Sequence, residues 1–252
     1  MRSVPDRNDP VFQRSETELR IIAEWYSSHF AKDLRPIKFL LVGGWAVWCY
    51  NPYYPSVDID IVVTNKARSS LFHHLRRSRA FDFTMSAERN RMVFMIPYEG
   101  KEIIIDYDKP DSPGDIEGHA GSLPWAHALE NFKVFDVGKG YLPVPERGIL
   151  LLHKLKAIVE RSWKLEHEGA DRLWLTGKIA KDRADVLAML DPAKGGRDID
   201  ISLLGGLIKA LPCLLDALKG IPDHRESHER YGCAHGEAED WTARLVSLIS
   251  PD

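Results

Sequence analysis

The apolar residues of this 252-residue chain change their period at Pro145. Before it, short runs predict β-strands separated by polar or glycine turns: IKFLLV (37–42), SVDIDIVVT (56–64), FDFTMS (81–86), RMVFMIPY (91–98), KEIIIDYD (101–108) and FKVFDVGKGYLPV (132–144). After it, ERGILLLHKLKAIVERSW (146–163), DRLWLTGKIAKDRADVLAML (171–190), ISLLGGLIKALPCLLDAL (201–218) and DWTARLVSLIS (240–250) repeat at three-to-four spacing and predict helices. The first half also predicts helices at 15–34, with Ser15 as N-cap and Glu18 completing a capping box, and at 65–79, capped by Asn65; WAVWCY (45–50) opens a short one. The expected fold class is therefore α/β (α+β) over residues 1–145, followed by an all-helical domain over 146–252.

Bulk properties narrow the setting. A hydrophobic share of 44% and a charged share of 28% are those of a soluble globular protein, and a net charge of −3 supplies no general attraction to polyanions. Cys49, Cys213 and Cys233 are odd in number and far apart, which suits a reducing cytoplasm and no disulfide framework. The longest apolar stretch, Phe39 to Tyr50, falls short of the ~20 residues of a membrane span. A cytoplasmic protein with no membrane partner is expected.

The chemistry concentrates in FLLVGGWAVWCYNPYYPSVDIDIVV (39–63). On a strand, Val57, Ile59 and Ile61 would face the core while Asp58 and Asp60 project together from the other side. Two carboxylates that close repel unless one is protonated or a cation lies between them. Hard cations such as Mg²⁺ prefer these oxygens and keep places for water and phosphate. Asp106, with Asp108 on the same face, supplies a third carboxylate from a later strand. The Gly43-Gly44 turn, free of side chains and opening a helix, lets phosphates approach backbone N–H groups. A bland account of the aspartates exists, since edge strands carry charges to discourage aggregation.

Together, VGGWAV, the spacer from Trp45 to Val57, DIDIVV and the later Asp106 resemble the signature of the polymerase-β-like nucleotidyltransferase superfamily. The helical half resembles the helices that follow the catalytic domain in antibiotic-modifying and toxin-like nucleotidyltransferases. The resemblance implies a mixed-sheet nucleotidyltransferase domain transferring a nucleoside monophosphate from an NTP, such as ATP, to an acceptor hydroxyl of RNA, protein or a small molecule, with pyrophosphate released. It implies two Mg²⁺ ions on Asp58, Asp60 and Asp106, a triphosphate bordered by Gly43, Gly44 and Ser56 and reached by Lys154, and a cleft lined by Lys181, Asp182 and Asp185; read alone, Lys154 is a solvated lysine and the other three are exposed helix charges. Tyr54 departs from the pattern, standing where many members carry arginine. The resemblance does not extend over the last sixty residues.

Other signals weigh less. The second DID, Asp198 and Asp200, lacks a spacer after its glycines, and Asp200 reads as an N-cap. His224 and His228, one helical turn apart, could share a zinc with Cys233 and His235, though surface histidines and a free thiol account for them equally well. Residues 66–91 hold seven Lys/Arg against two Asp/Glu, plus His73 and His74: either a solvated helix face or a local attraction for a polyanion such as NTP or RNA. Two rival classes remain: a non-catalytic nucleotide-binding or protein-interaction module of the same fold, and a zinc hydrolase.

Overall fold

A computed structural model describes residues 6–30, 39–79, 83–86, 91–167 and 171–250. Five strands form the main sheet: β1 (Phe39–Val42), β2 (Ile59–Val63), β3 (Phe83–Ser86), β4 (Arg91–Tyr98) and β5 (Lys101–Asp108). Their order is β1-β2-β5-β4-β3, and only β2 and β5 run parallel, so the sheet is mixed as expected. The β4–β5 hairpin closes through Glu99 and Gly100, both at positive φ (48° and 74°), the pairing that a two-residue hairpin turn requires. A separate ribbon, β6 (Phe132–Asp136) and β7 (Tyr141–Pro145), ends where the helices begin. Ile37, Lys38, Phe81 and Asp82, at the starts of two expected strands, lie outside the described residues.

The helices are α1 (Pro10–Phe30), α2 (Gly43–Tyr50), α3 (Asn65–Arg79), α4 (Ala126–Glu130), α5 (Arg147–His167), α6 (Arg172–Leu190), α7 (Ile201–Lys209), α8 (Pro212–Lys219), α9 (Arg225–Tyr231) and α10 (His235–Ile249). Three local expectations are corrected. First, α1 begins at Pro10, with Asp9 accepting from the Val11 N–H at 3.1 Å. Ser15 is fully buried inside the helix; its hydroxyl donates to the Val57 carbonyl (2.6 Å) and accepts from the Trp45 indole (3.0 Å). Second, Thr64 rather than Asn65 caps α3, its Oγ1 accepting from the Ala67 N–H at 3.4 Å. Third, the long segment 201–218 breaks into α7 and α8. Pro212 has no N–H to continue the ladder and holds Leu211 out of helical geometry (φ −131°, ψ 71°). Asp200 does cap α7, accepting from the Leu203 N–H at 3.0 Å.

One continuous apolar core runs from α1 through β1, β2 and β5 into α5, α6 and α10. All four β1 residues are buried, because the strand is covered on both faces. The buried faces of α5 and α6 pack on each other, and α2 packs against both. The turn that ends β1 thereby faces the helical half.

Candidate functional site

The site starts at a backbone constraint. Gly43 turns the chain from β1 into α2 at φ +68°, a conformation disfavoured for any residue with a side chain. A Cβ there would lie 2.1 Å from Asp60 Oδ2, so the Asp60 carboxylate rests against the turn's backbone. A Cβ on Gly44 would stand 2.7 Å from Ser56 Oγ and 2.9 Å from Lys181 Nζ. The two glycines are thus the space in which Ser56, Asp60 and Lys181 approach the N-terminus of α2.

The strand register gathers the acids. Val42, Asp60 and Asp106 are direct neighbours across β1, β2 and β5. At a strand spacing of about 4.8 Å, Asp60 and Asp106 stand side by side on one face. Asp106 is almost buried, and its Oδ1 accepts from the Tyr107 N–H at 2.9 Å. Asp58 lies one residue before β2 rather than on it. Its Oδ1 accepts from the Ile104 N–H at 3.2 Å, where the β2–β5 ladder begins, and its Oδ2 is 3.9 Å from Lys178 Nζ. Asp108 is drawn away by Trp125, whose indole donates to its Oδ2 at 2.8 Å.

The second wall is a buried charge network between α5 and α6. Lys154 contacts Asp182 (3.1 Å) and Asp185 (2.7 Å), Lys181 contacts Asp185 (2.9 Å), and Arg161 pairs with Asp182. The Tyr53 hydroxyl donates to the other Asp185 oxygen at 2.6 Å. Three cations face two carboxylates here, leaving one positive charge in excess beside the glycine turn. Burial would raise the Asp185 pKa, but Lys154 and Lys181 outweigh it and hold the carboxyl well below its usual range. Burial, reinforced by Lys154 and opposed by Asp185, brings Lys181 down to about 8. Lys181 therefore sits beside the glycines as a cation that titrates close to neutrality.

The ten residues that the resemblance assigns to the site fall on this face or on the network behind it. Gly43, Gly44, Ser56, Asp60 and Lys181 meet at the turn, and Asp106 adjoins Asp60. Asp58 lies at the foot of β2, while Lys154, Asp182 and Asp185 are buried behind Lys181. Tyr53, Arg161 and Lys178 were missed. No spacing rule marks them, since Tyr53 reaches Asp185 across 132 positions. The Tyr54 position has a guanidinium after all, supplied from α9: Arg230 lies 5.2 Å from the Tyr54 ring centre.

A set of carboxylate oxygens suits a hard divalent cation, and Asp60 beside Asp106 is a pair of like charges that a cation would relieve. Among the described residues, no group of three or more His, Cys, Asp or Glu side chains is gathered to hold a metal ion, at Asp58, Asp60 and Asp106 or around His224, His228, Cys233 and His235. Nor is any single helix among them long and apolar enough to cross a membrane.

No family model and no curated protein matches the chain. Its structure is similar to that of an antigenic nucleotidyltransferase-like protein from Paracoccidioides brasiliensis, at 16% identity and a TM-score of 0.45, over 86% of this chain and 95% of that one. It is also similar to the antibiotic-resistance factor ANT(2'')-Ia, at 12% identity and a TM-score of 0.38, over 79% of this chain and 96% of that one. Both likenesses are distant, and the chemistry of the site rests on this chain's own residues.

Proposed function

We propose that the chain is a Mg²⁺-dependent nucleotidyltransferase that joins a nucleoside monophosphate from an NTP to an acceptor hydroxyl and releases pyrophosphate. The observation that carries this reading is the side-by-side placement of Asp60 and Asp106 beside a glycine turn into which Lys181 points. A triphosphate against Gly43 and Gly44 would meet the α2 N–H groups, the Ser56 hydroxyl and the Lys181 ammonium. The excess positive charge of the α5–α6 network supports the same occupant. Residues 1–145 would contribute the acids and the turn, and residues 146–252 the cations.

Asp60 and Asp106 would hold the metal, with Asp58 completing the set once freed from Ile104 and Lys178, and the metal when bound would supply electrostatic stabilisation of developing negative charge. In the transfer, the acceptor oxygen forms a bond to the α-phosphorus and the bond from that phosphorus to the bridging oxygen breaks. The electron pair leaves with pyrophosphate, and the acceptor proton would pass to the Asp106 carboxylate. Asp60 stays fixed by its contact with the turn, and Lys181 offsets the charge of the leaving group. The free cysteines suit a cytoplasmic setting.

The engagement of Asp58 by Ile104 and Lys178 favours one alternative, a module of the same fold that binds nucleotide without turnover. One experiment separates the two. Purified protein is incubated with Mg²⁺, each α-labelled NTP in turn, and cellular RNA, protein or small-molecule extracts. Transfer to one acceptor class, reduced by at least about a hundredfold in Asp60→Asn and Asp106→Asn, is the expected result. Calorimetric binding of Mg·NTP without transfer would select the binding module, and no binding would remove both.

A further inference from the structure

A second basic site lies away from these carboxylates, between the end of α1 and the middle of α3. His29, Ser70, His73, His74 and Arg77 line an open cavity of about 360 Å³. Every lining side chain can donate a hydrogen bond, and none is a carboxylate. From Asn65 to Arg79, α3 carries one lysine, four arginines and two histidines and no acidic residue, in a chain whose net charge is −3. The charge is therefore local rather than a general property of the molecule.

We propose that this cavity binds a phosphate group, carried by a nucleotide or by a nucleic-acid strand. Arg77 supplies the permanent charge and a fork of donors that matches phosphate oxygens. Ser70 Oγ lies 3.3 Å from the Trp25 indole N–H and accepts from it, so its own proton can still be donated. His29 Nδ1 lies 2.8 Å from the Trp25 carbonyl and 2.9 Å from the Ser28 hydroxyl, which leaves Nε2 as the ring nitrogen open to a ligand. His74 faces His29 and Glu24 of α1; burial and His29 lower its pKa while Glu24 opposes them. Bound phosphate would offset the burial and His29 repulsion that disfavour the charged His74 ring, so binding should strengthen at acid pH. The ring nitrogens could invite a transition metal, but no three such ligands converge among the described residues.

The test follows the histidine ring signals of the full chain by NMR during titration with inorganic phosphate, and separately with a short single-stranded RNA, at acidic and alkaline ends of the imidazole range. The expected result is perturbation of His29, His73 and His74 by phosphate, stronger at the acidic end. Arg77→Gln should weaken it about tenfold, and Lys181→Met, at the other site, should leave it unchanged. RNA binding much tighter than phosphate, with a steep salt dependence, identifies a strand as the source; equal binding identifies a small phosphate compound. Ring signals that ignore phosphate, or respond equally in Arg77→Gln, overturn the proposal, as does a response to Zn²⁺ alone. Because the readout is at α1 and α3, its failure leaves the nucleotidyltransferase reading untouched.

Discussion

Gly43 carries two constraints that a substitution can separate. Gly100 has a similar positive φ (+74°) but open space around its missing Cβ, whereas a Cβ on Gly43 collides with Asp60. Gly100→Ala should therefore cost only the conformational term, about 1–2 kcal/mol, and leave nucleotide binding intact. Gly43→Ala should lose that amount and also displace Asp60, abolishing Mg·NTP binding under conditions where the protein is still folded. Urea denaturation and calorimetry read the two effects, and equal behaviour of the variants would sink the argument. Lys181 gives a second prediction at this scale. A lysine that titrates near 8 is a cation below that pH, so NTP affinity should hold steady below about 8 and fall above it. Lys181→Met should bind more weakly and flatten that fall. Stability runs the other way: between about 8 and the ordinary lysine value of 10.5 the unfolded chain binds more protons, so this group's contribution to stability rises with pH. Gly43, Gly44 and Asp60 were legible in the sequence because the glycines, the spacer and the aspartates form a local pattern, whereas Lys181 entered only through the resemblance of the helical half. Tyr53 and Lys178 were not legible, because their roles come from partners on other elements.

At the scale of elements, α5 and α6 are joined by buried ions as well as by apolar packing. Removing one partner of such a network strands the others without a counter-charge, at a cost of about 3–5 kcal/mol. Asp185→Asn keeps the side-chain shape but leaves Lys154 and Lys181 without their shared anion, and should fall in that range. Tyr53→Phe removes one hydrogen bond to a charged group and should cost about 1.5–3 kcal/mol. The Asp185 carboxyl lies below its unfolded value, so its contribution is full above pH ~4 and is lost as pH falls further. Denaturant midpoints measured from neutral to acid pH should show wild type losing stability that Asp185→Asn no longer has to lose. Sequence patterning located both helices, since their apolar spacing is regular, but could not pair their charges. It also misread Ser15. The Ser-x-x-Glu pattern is that of a capping box, yet both residues are buried mid-helix, Ser15 bonded to Val57 and Trp45 and Glu18 paired with Arg14. Tertiary partners can satisfy a hydroxyl as well as a helix end can, and no local rule distinguishes the two.

For the molecule as a whole, the change of period at Pro145 marks a change of architecture without a break in the core. Apolar residues of β1, β2, α2, α5 and α6 belong to one cluster, and the Tyr50 hydroxyl donates to the Pro145 carbonyl at 2.8 Å across the junction. The end of α6 and, through Tyr231, the last sixty residues, to which the resemblance does not extend, brace the loop between α2 and β2. Asn51 donates to the Ala188 carbonyl (2.9 Å) and to the Tyr231 hydroxyl (3.0 Å), Tyr231 in turn bonds Asp191, and its ring lies edge-on to Tyr53 at 5.1 Å. That loop leads directly into Ser56, Asp58 and Asp60, so the helical half holds the acids in place as well as supplying the cations. We therefore expect residues 1–145 and 146–252 to unfold together rather than as independent domains. With Trp163, Trp174 and Trp241 replaced by phenylalanine, tryptophan fluorescence reports on the first half, where Trp25 and Trp45 are buried, whereas far-UV circular dichroism reports chiefly on the helices that dominate the second. Tryptophan fluorescence and circular dichroism should trace one superimposable urea transition, and a 1–145 fragment should expose apolar surface and show no cooperative unfolding. Two separated transitions, or a fragment that folds alone, would mean that the halves meet through an interface rather than through a shared core, and Tyr231→Ala would then leave the Asp60 site unaffected.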